Sequence, residues 1–211
     1  MNTDDEAAKT ALLEIANVLS EQFDNVGESV SVLREGLLID PADEQLLDAL
    51  CERLKKTSQW RQLIEVLETK LGAVEGDSAQ GAVQYEIAQI WDECIDEPER
   101  AVAEYRAALD KNPGEVRALK ALEHLYAEMS RFQELCDVYE QQATFASEPT
   151  VAVTMWGRVA DILKDKLADL PAAAEALVKG LESDPAHLPT CLLYTSPSPR
   201  DATLSRMPSS A

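Results

Sequence analysis

Few residues in this chain have both the type and the spacing for chemistry. Two histidines, His124 and His187, and four cysteines, Cys51, Cys94, Cys136 and Cys191, occur in 211 residues. No two cysteines form a Cys-x2-Cys pair, so neither a zinc knuckle nor a dithiol redox centre is expected. His124 has no second histidine at i+4, the spacing that would aim two imidazoles at one metal from one helix. No Ser/His/Asp or Cys/His constellation is readable, and no glycine-rich loop is available to cradle phosphate. The expectation is a chain without metal, without cofactor and without enzymatic activity. Cys51 lies on an apolar helix face, with Cys94 and Cys136 near one, so these thiols are expected to be buried. That usage fits a reducing compartment.

The charged residues are more informative. A formal charge of −20 disfavours a nucleic-acid partner, which needs clustered Lys and Arg, and it disfavours anionic membrane surfaces. The first residues, Met1 to Glu6, lack the basic and apolar regions of a signal peptide. No apolar run is long enough to span a bilayer, so the expectation is a cytoplasmic protein.

The elements that position these residues repeat. Ile87-Ala88-x2-Trp91-x9-Ala101-x3-Tyr105-x2-Ala108-x4-Pro113 has a counterpart 72 residues earlier, from Ile15-Ala16 through Leu19, Ser29, Leu33 and Gly36 to Pro41. A third copy lies 72 residues later, from Val159-Ala160 through Leu163, Ala173, Leu177 and Gly180 to Pro185. A second pattern interleaves with it: Leu47, Leu50, Leu54, Trp60, Leu63 and Leu67 recur, also offset by 72, as Leu119, Leu122, Tyr126, Phe132, Leu135 and Tyr139. Odd and even helical hairpins alternate, and the true unit is a pair of hairpins. The repeats fall at about 5–41, 42–76, 77–113, 114–148 and 149–185, with a truncated sixth from 186.

The pattern predicts helices at about Asp5–Gln22, Ala42–Lys56, Ser58–Gly72, Ser78–Glu93, Glu97–Lys111, Pro149–Asp165 and Leu170–Ser183. Ala8, Leu12, Ile15, Ala16 and Leu19 make the apolar stripe of the first. Ser58 is the expected N-cap of the second repeat's second helix. Pro98 and Pro171 fall in first turns, where a missing N–H costs nothing. Ala16, Ala88 and Ala160 are small where the two helices of a hairpin meet, as are Gly36, Ala108 and Gly180. Trp60, Trp91 and Trp156 lie on apolar stripes and are expected to pack in the core.

These residues resemble the tetratricopeptide repeat (TPR), with Ile87-Ala88 at its Leu-Gly pair, Trp91 at its Tyr, Ala101 and Tyr105 at its Ala and Phe, and Pro113 at its last Pro. The repeats diverge: alanine replaces the glycine in all odd repeats, the odd turns carry one extra residue, and the even repeats place Cys51 and Glu123 at the small site and lack the terminal proline. The resemblance implies an all-α, right-handed α-solenoid of stacked antiparallel hairpins that binds a protein or peptide on the face of its first helices. Carried onto this sequence, the groove positions are Asn17, Gln45, Asp48, Glu52, Gln89, Asp92, Arg117, Lys120, His124, Asp161 and Lys164. The early part of that set is acidic and the later part mixed, which favours a peptide with basic character at one end. The Lys/Asn carboxylate clamp of chaperone-binding TPRs has no match. A bacterial adaptor is the leading expectation. The alternative is the regulatory or docking region of a larger enzyme.

Residues 191–211 stand apart. They resemble the translation of a transposase-type sequencing adapter, whose constant blocks encode Cys191–Asp201 and Ser205–Ala211 around a variable index. They are expected to be a non-native, disordered tail, with the genuine protein interrupted near Thr190.

Overall fold

The computed structural model describes residues 3–184, and they form helices α1 (Thr3–Glu21), α2 (Val26–Ile39), α3 (Glu44–Lys56), α4 (Trp60–Ala73), α5 (Asp77–Gln89), a π-helical segment (Ile90–Ile95), α6 (Pro98–Lys111), α7 (Val116–Glu128), α8 (Phe132–Thr144), α9 (Pro149–Asp165) and α10 (Leu170–Ser183). No strand occurs among the described residues. His187, Cys191, the start of a sixth repeat and the proposed adapter tail lie outside them. The chain divides into two compact units, one ending at Ala118 and one beginning at Leu119.

In the first unit each hairpin pairs its own helices, α1 with α2, α3 with α4 and α5 with α6, and the next hairpin packs on the second helix of the one before, α3 on α2 and α5 on α4. In the second unit α9 packs on α8 and pairs with α10. A single hairpin cannot bury both faces, so stacking completes each core. On α3, Leu46, Leu47, Leu50 and Leu54 recur at helical spacing and are all essentially inaccessible. Burial of such a side chain contributes about 1.5–3 kcal/mol. Ala16, Ala88, Ala108 and Ala160 are buried at the close approaches, as expected. At Gly36 an added Cβ would meet Leu46 Cδ1 at 2.8 Å, and at Gly180 it would meet Trp156 Cβ at 3.2 Å.

Helix ends follow local rules. Asn25, Asp43 and Asp169 cap α2, α3 and α10 by accepting backbone N–H bonds from Glu28, Leu46 and Ala172. Asp40, Asn112 and Asp184 take nearly the same extended conformation, and each donates its N–H to the carbonyl at the small position, Gly36, Ala108 or Gly180. Each precedes a proline in the sequence, which disfavours helix at that residue.

Every hairpin turn contains one left-handed residue: Asp24, Ser58, Asp96, Ser130 and Ala168, with φ between 51° and 61°. None is glycine. The even turns close with the next N–H donating five residues back, Gln59 to Leu54 and Arg131 to Tyr126. The odd turns close six residues back, Asn25 to Leu19, Glu97 to Trp91 and Asp169 to Leu163. The extra residue of the odd turns is thus absorbed by a wider ring, which in the third repeat extends into the π segment.

Several expectations are corrected. Ser58 is not an N-cap; it holds the left-handed turn position, and α4 starts later, after Gln59. The third repeat's first helix stays α only to Gln89, because its wide turn unwinds the last part into π geometry. Cys94, in that π segment, is exposed, whereas Cys51 and Cys136 are buried. In α1, Ala8 and Ile15 are exposed while Lys9 is buried, since only the face towards α2 and α3 is covered. Among the tryptophans, Trp91 is buried and Trp60 and Trp156 are half-buried.

Candidate functional site

The groove positions fall in both units, and within each unit they are divided among clefts and pairings. In the first unit a cleft of about 450 Å³ opens between α3, α4 and α5, with Gln89 and Arg117 in its wall. Trp60 and Tyr85 supply aromatic surface, and Glu86 and Glu93 supply carboxylates. The Lys55 ammonium is 2.5 Å from Glu86 and ties α3 to α5. The Arg117 guanidinium lies 4.8 Å over the Tyr85 ring and is 2.9 Å from Glu115. That stacking places a cation on the negative face of the ring.

The other first-unit positions are partly spent on the fold. Asn17 accepts from the buried Arg53 guanidinium at 2.8 Å, and Glu52 pairs with the same group at 2.6 Å. Asp48 is exposed and pairs with Lys70. Burial opposes the Lys70 charge, but the Asp48 carboxylate outweighs it and holds the ammonium above its ordinary value. Gln45 is exposed. Asp92 accepts a 3.2 Å bond from Tyr105, whose phenol is held well above its ordinary value by burial and by the Asp92 charge.

The second unit has its own cleft, about 490 Å³, lined by Lys120 and His124 of α7, Tyr139 and Gln142 of α8, and Met155 and Arg158 of α9. Glu123 lies at its floor: one oxygen accepts from Arg158 at 2.8 Å and Tyr139 at 3.0 Å, the other from Gln142 at 3.0 Å. Arg158 also lies 5.3 Å over the Tyr139 ring. Asp161 and Lys164 border a smaller recess of about 170 Å³ between α9 and α10.

Sequence reasoning missed Trp60, Tyr85, Glu86, Glu93, Glu123 and Arg158 as cleft residues. Glu86 and Arg158 were visible in principle, since they occupy the same position of the 72-residue unit with opposite charge.

The clefts offer charge and aromatic surface for non-covalent recognition. No group of three or more His, Cys, Asp and Glu residues able to hold a metal occurs among the described residues. Burial, then the Glu93 charge, raises the Cys94 thiol above its ordinary value. No helix among the described residues is long and apolar enough to cross a membrane.

Residues 118–150 match the family model of the tetratricopeptide repeat, on the fourth repeat. A solved structure of MamA protein is 17% identical, covers 84% of this chain and 92% of that one, and superposes with a TM-score of 0.50. YrrB, described as a TPR protein with an unusual peptide-binding site, is 14% identical over 88% of this chain and 91% of that one, with a TM-score of 0.47. MamA from Desulfovibrio magneticus RS-1 is 15% identical over 85% and 97%, at 0.42. No curated protein sequence matches.

Proposed function

We propose that this chain, TPR-like and all-α in its stacked hairpins, is a non-enzymatic scaffold that holds a partner protein or peptide by a basic segment. The segment lies on the acidic first-helix face of the first unit. The observation that carries the reading is the cleft in which the Trp60 and Tyr85 rings stand beside the Glu86 and Glu93 carboxylates. Aromatic faces and carboxylates together suit a guanidinium or ammonium group, and Arg117 on Tyr85 is an internal example. Asp48 and Glu52, with side chains 54% and 67% exposed on α3, extend the negative surface. The unpaired buried thiols of Cys51 and Cys136 fit a reducing compartment, and we assign the protein to the cytoplasm.

The test is binding of an amidated oligo-lysine peptide, followed by fluorescence anisotropy at low salt. Wild type should bind, added salt should weaken binding, and the Asp48→Lys/Glu52→Lys double variant should weaken it about tenfold or more, as attraction becomes repulsion. Equal binding by wild type and double variant refutes the acidic-face reading. Residues 191–211 we assign to adapter read-through. Codons in the source DNA that differ from the adapter would overturn that assignment.

A further inference from the structure

The second unit's cleft can be compared position by position with the first copy of the duplicated double hairpin at an offset of 72, where Lys55 and Glu86 also line a cleft and Asp48 and Glu52 lie outside it. Asp48 becomes Lys120, Glu52 becomes His124 and Glu86 becomes Arg158. The change is not confined to single positions. In the first copy Asp48 pairs with Lys70, and Glu86 with Lys55, each carboxylate keeping an exposed side. In the second copy the positions of those two lysines hold Gln142 and Ala127. The salt-bridge partners were therefore replaced together with the charges they served.

The result is an unbalanced cationic rim. Lys120 is exposed and has no carboxylate partner among the described residues. Arg158 commits one nitrogen to Glu123 and Tyr139, and its other two have no acceptor among the described residues. Glu123 cannot neutralise the rim further, since both of its oxygens are already taken by Tyr139, Gln142 and Arg158. His124 lies one turn from Lys120, with its side chain 72% exposed and Glu128 3.8 Å away.

We propose that the cleft formed by α7, α8 and α9 binds the acidic side chains of a partner segment, with Lys120 and Arg158 as the carboxylate donors. Arg158 is suited to this because Glu123 and the Tyr139 ring fix its plane, leaving an oriented edge of the guanidinium towards the cleft. Lys120 adds a mobile point charge. The apolar sides of Met155 and Ala127 give the aliphatic part of a glutamate a surface to lie on. The assignment stands on the second unit's own side chains and adds an acidic recognition element to the basic one proposed for the first unit. A chain of net charge −20 opposes the approach of an acidic peptide overall, so binding at this cleft is a demanding outcome.

The probe is an oligo-glutamate peptide, acetylated at its N-terminus and amidated at its C-terminus so that only side-chain carboxylates are offered. Anisotropy at low salt should show binding to wild type. Lys120→Glu should weaken it about tenfold, and Lys120→Gln about threefold, as one exposed attraction is reversed or removed. Asp48→Lys/Glu52→Lys should not weaken it. Circular dichroism of the Lys120 variants should match wild type, because that side chain is exposed and unpaired. No binding by wild type, equal binding by wild type and Lys120→Glu, or binding only when the peptide has a free C-terminal carboxylate overturns the proposal. The oligo-lysine arm fails or succeeds independently, so loss of one reading is distinguishable from loss of the other.

Discussion

Replacing Arg53 tests whether its polar bonds or its volume stabilise the first unit. Arg53 is only 2% exposed, and its guanidinium reaches Asn17 at 2.8 Å and Glu52 at 2.6 Å. Its Nε has no hydrogen-bond partner among the described residues. The equivalent position of the other copy is Leu125, 4% exposed. Leucine at 53 would remove one bond to a charged group, about 1.5–3 kcal/mol. It would also lose a pair with an exposed glutamate, about 0–1 kcal/mol. Against this, it releases the unpaired Nε, about 1–3 kcal/mol, and the several kcal/mol that desolvating a guanidinium costs. Arg53→Leu should therefore be neutral or stabilising by up to about 2 kcal/mol. Arg53→Ala loses the same bonds but also leaves a hole, and should fall below Arg53→Leu by about 2–5 kcal/mol. Urea denaturation followed by circular dichroism, with m-values checked for constancy, measures both. If Arg53→Leu is destabilised as much as Arg53→Ala, the polar bonds outweigh volume and the reasoning is wrong.

Ala168 holds a left-handed turn at φ 55°, so Ala168→Gly should raise stability by about 0.5–1 kcal/mol in thermal denaturation; a loss would show that the turn is not strained. In a Cys191→Ser background, Cys94 should react with a thiol reagent in the native state, whereas Cys51 and Cys136, buried and pushed up to about 11, should react only on unfolding. Lys9 is buried among Asp43, Glu6 and Asp40; its bond lowers the Asp40 carboxyl, and at Asp43 burial works against ionisation but the bonds from Lys9 and the Leu46 N–H outweigh it, so both lie below their ordinary values. Depressed carboxylates stabilise above their unfolded pKa, near 3.9, and lose that contribution as pH falls through the lower folded value. The stability gap between wild type and Lys9→Met should therefore be full at neutral pH and shrink below about pH 4; a gap constant from pH 7 to 2 refutes the role of the pairing.

The all-helical class and the small core residues were legible because burial enforces a periodic apolar stripe and close packing excludes side chains at fixed places. Ala88, Tyr105 and Leu50 each lie where periodicity puts them. The turns were not legible in detail. Ser58 has the side chain of an N-cap but is held in a left-handed position by closure of the hairpin, a tertiary constraint that overrides local preference. Ile15 fits its stripe and is still 50% exposed, because a stripe records apolarity and not whether a neighbour covers it. The clefts were the least legible part. Glu86 and Arg158 project from faces between helices, and their importance comes from pairs such as Lys55–Glu86 and Glu123–Arg158 that join separate hairpins.

The alternating turns have a consequence for recombination. An odd hairpin closes over six residues and an even one over five, and in the first unit the joint after α2 is proline-stopped whereas α5 is entered through Gly76. Segments of this array are thus interchangeable only in pairs. Excising residues 42–113 would join Pro41 to Gly114 with Asp40 and Asn112 taking nearly the same backbone shape, so the local chain path at the splice is kept. Excising a lone hairpin would set a proline stop before a helix built to follow a glycine. Changes of length in steps of 72 residues should therefore disturb such a chain least, and deletion of a lone hairpin most.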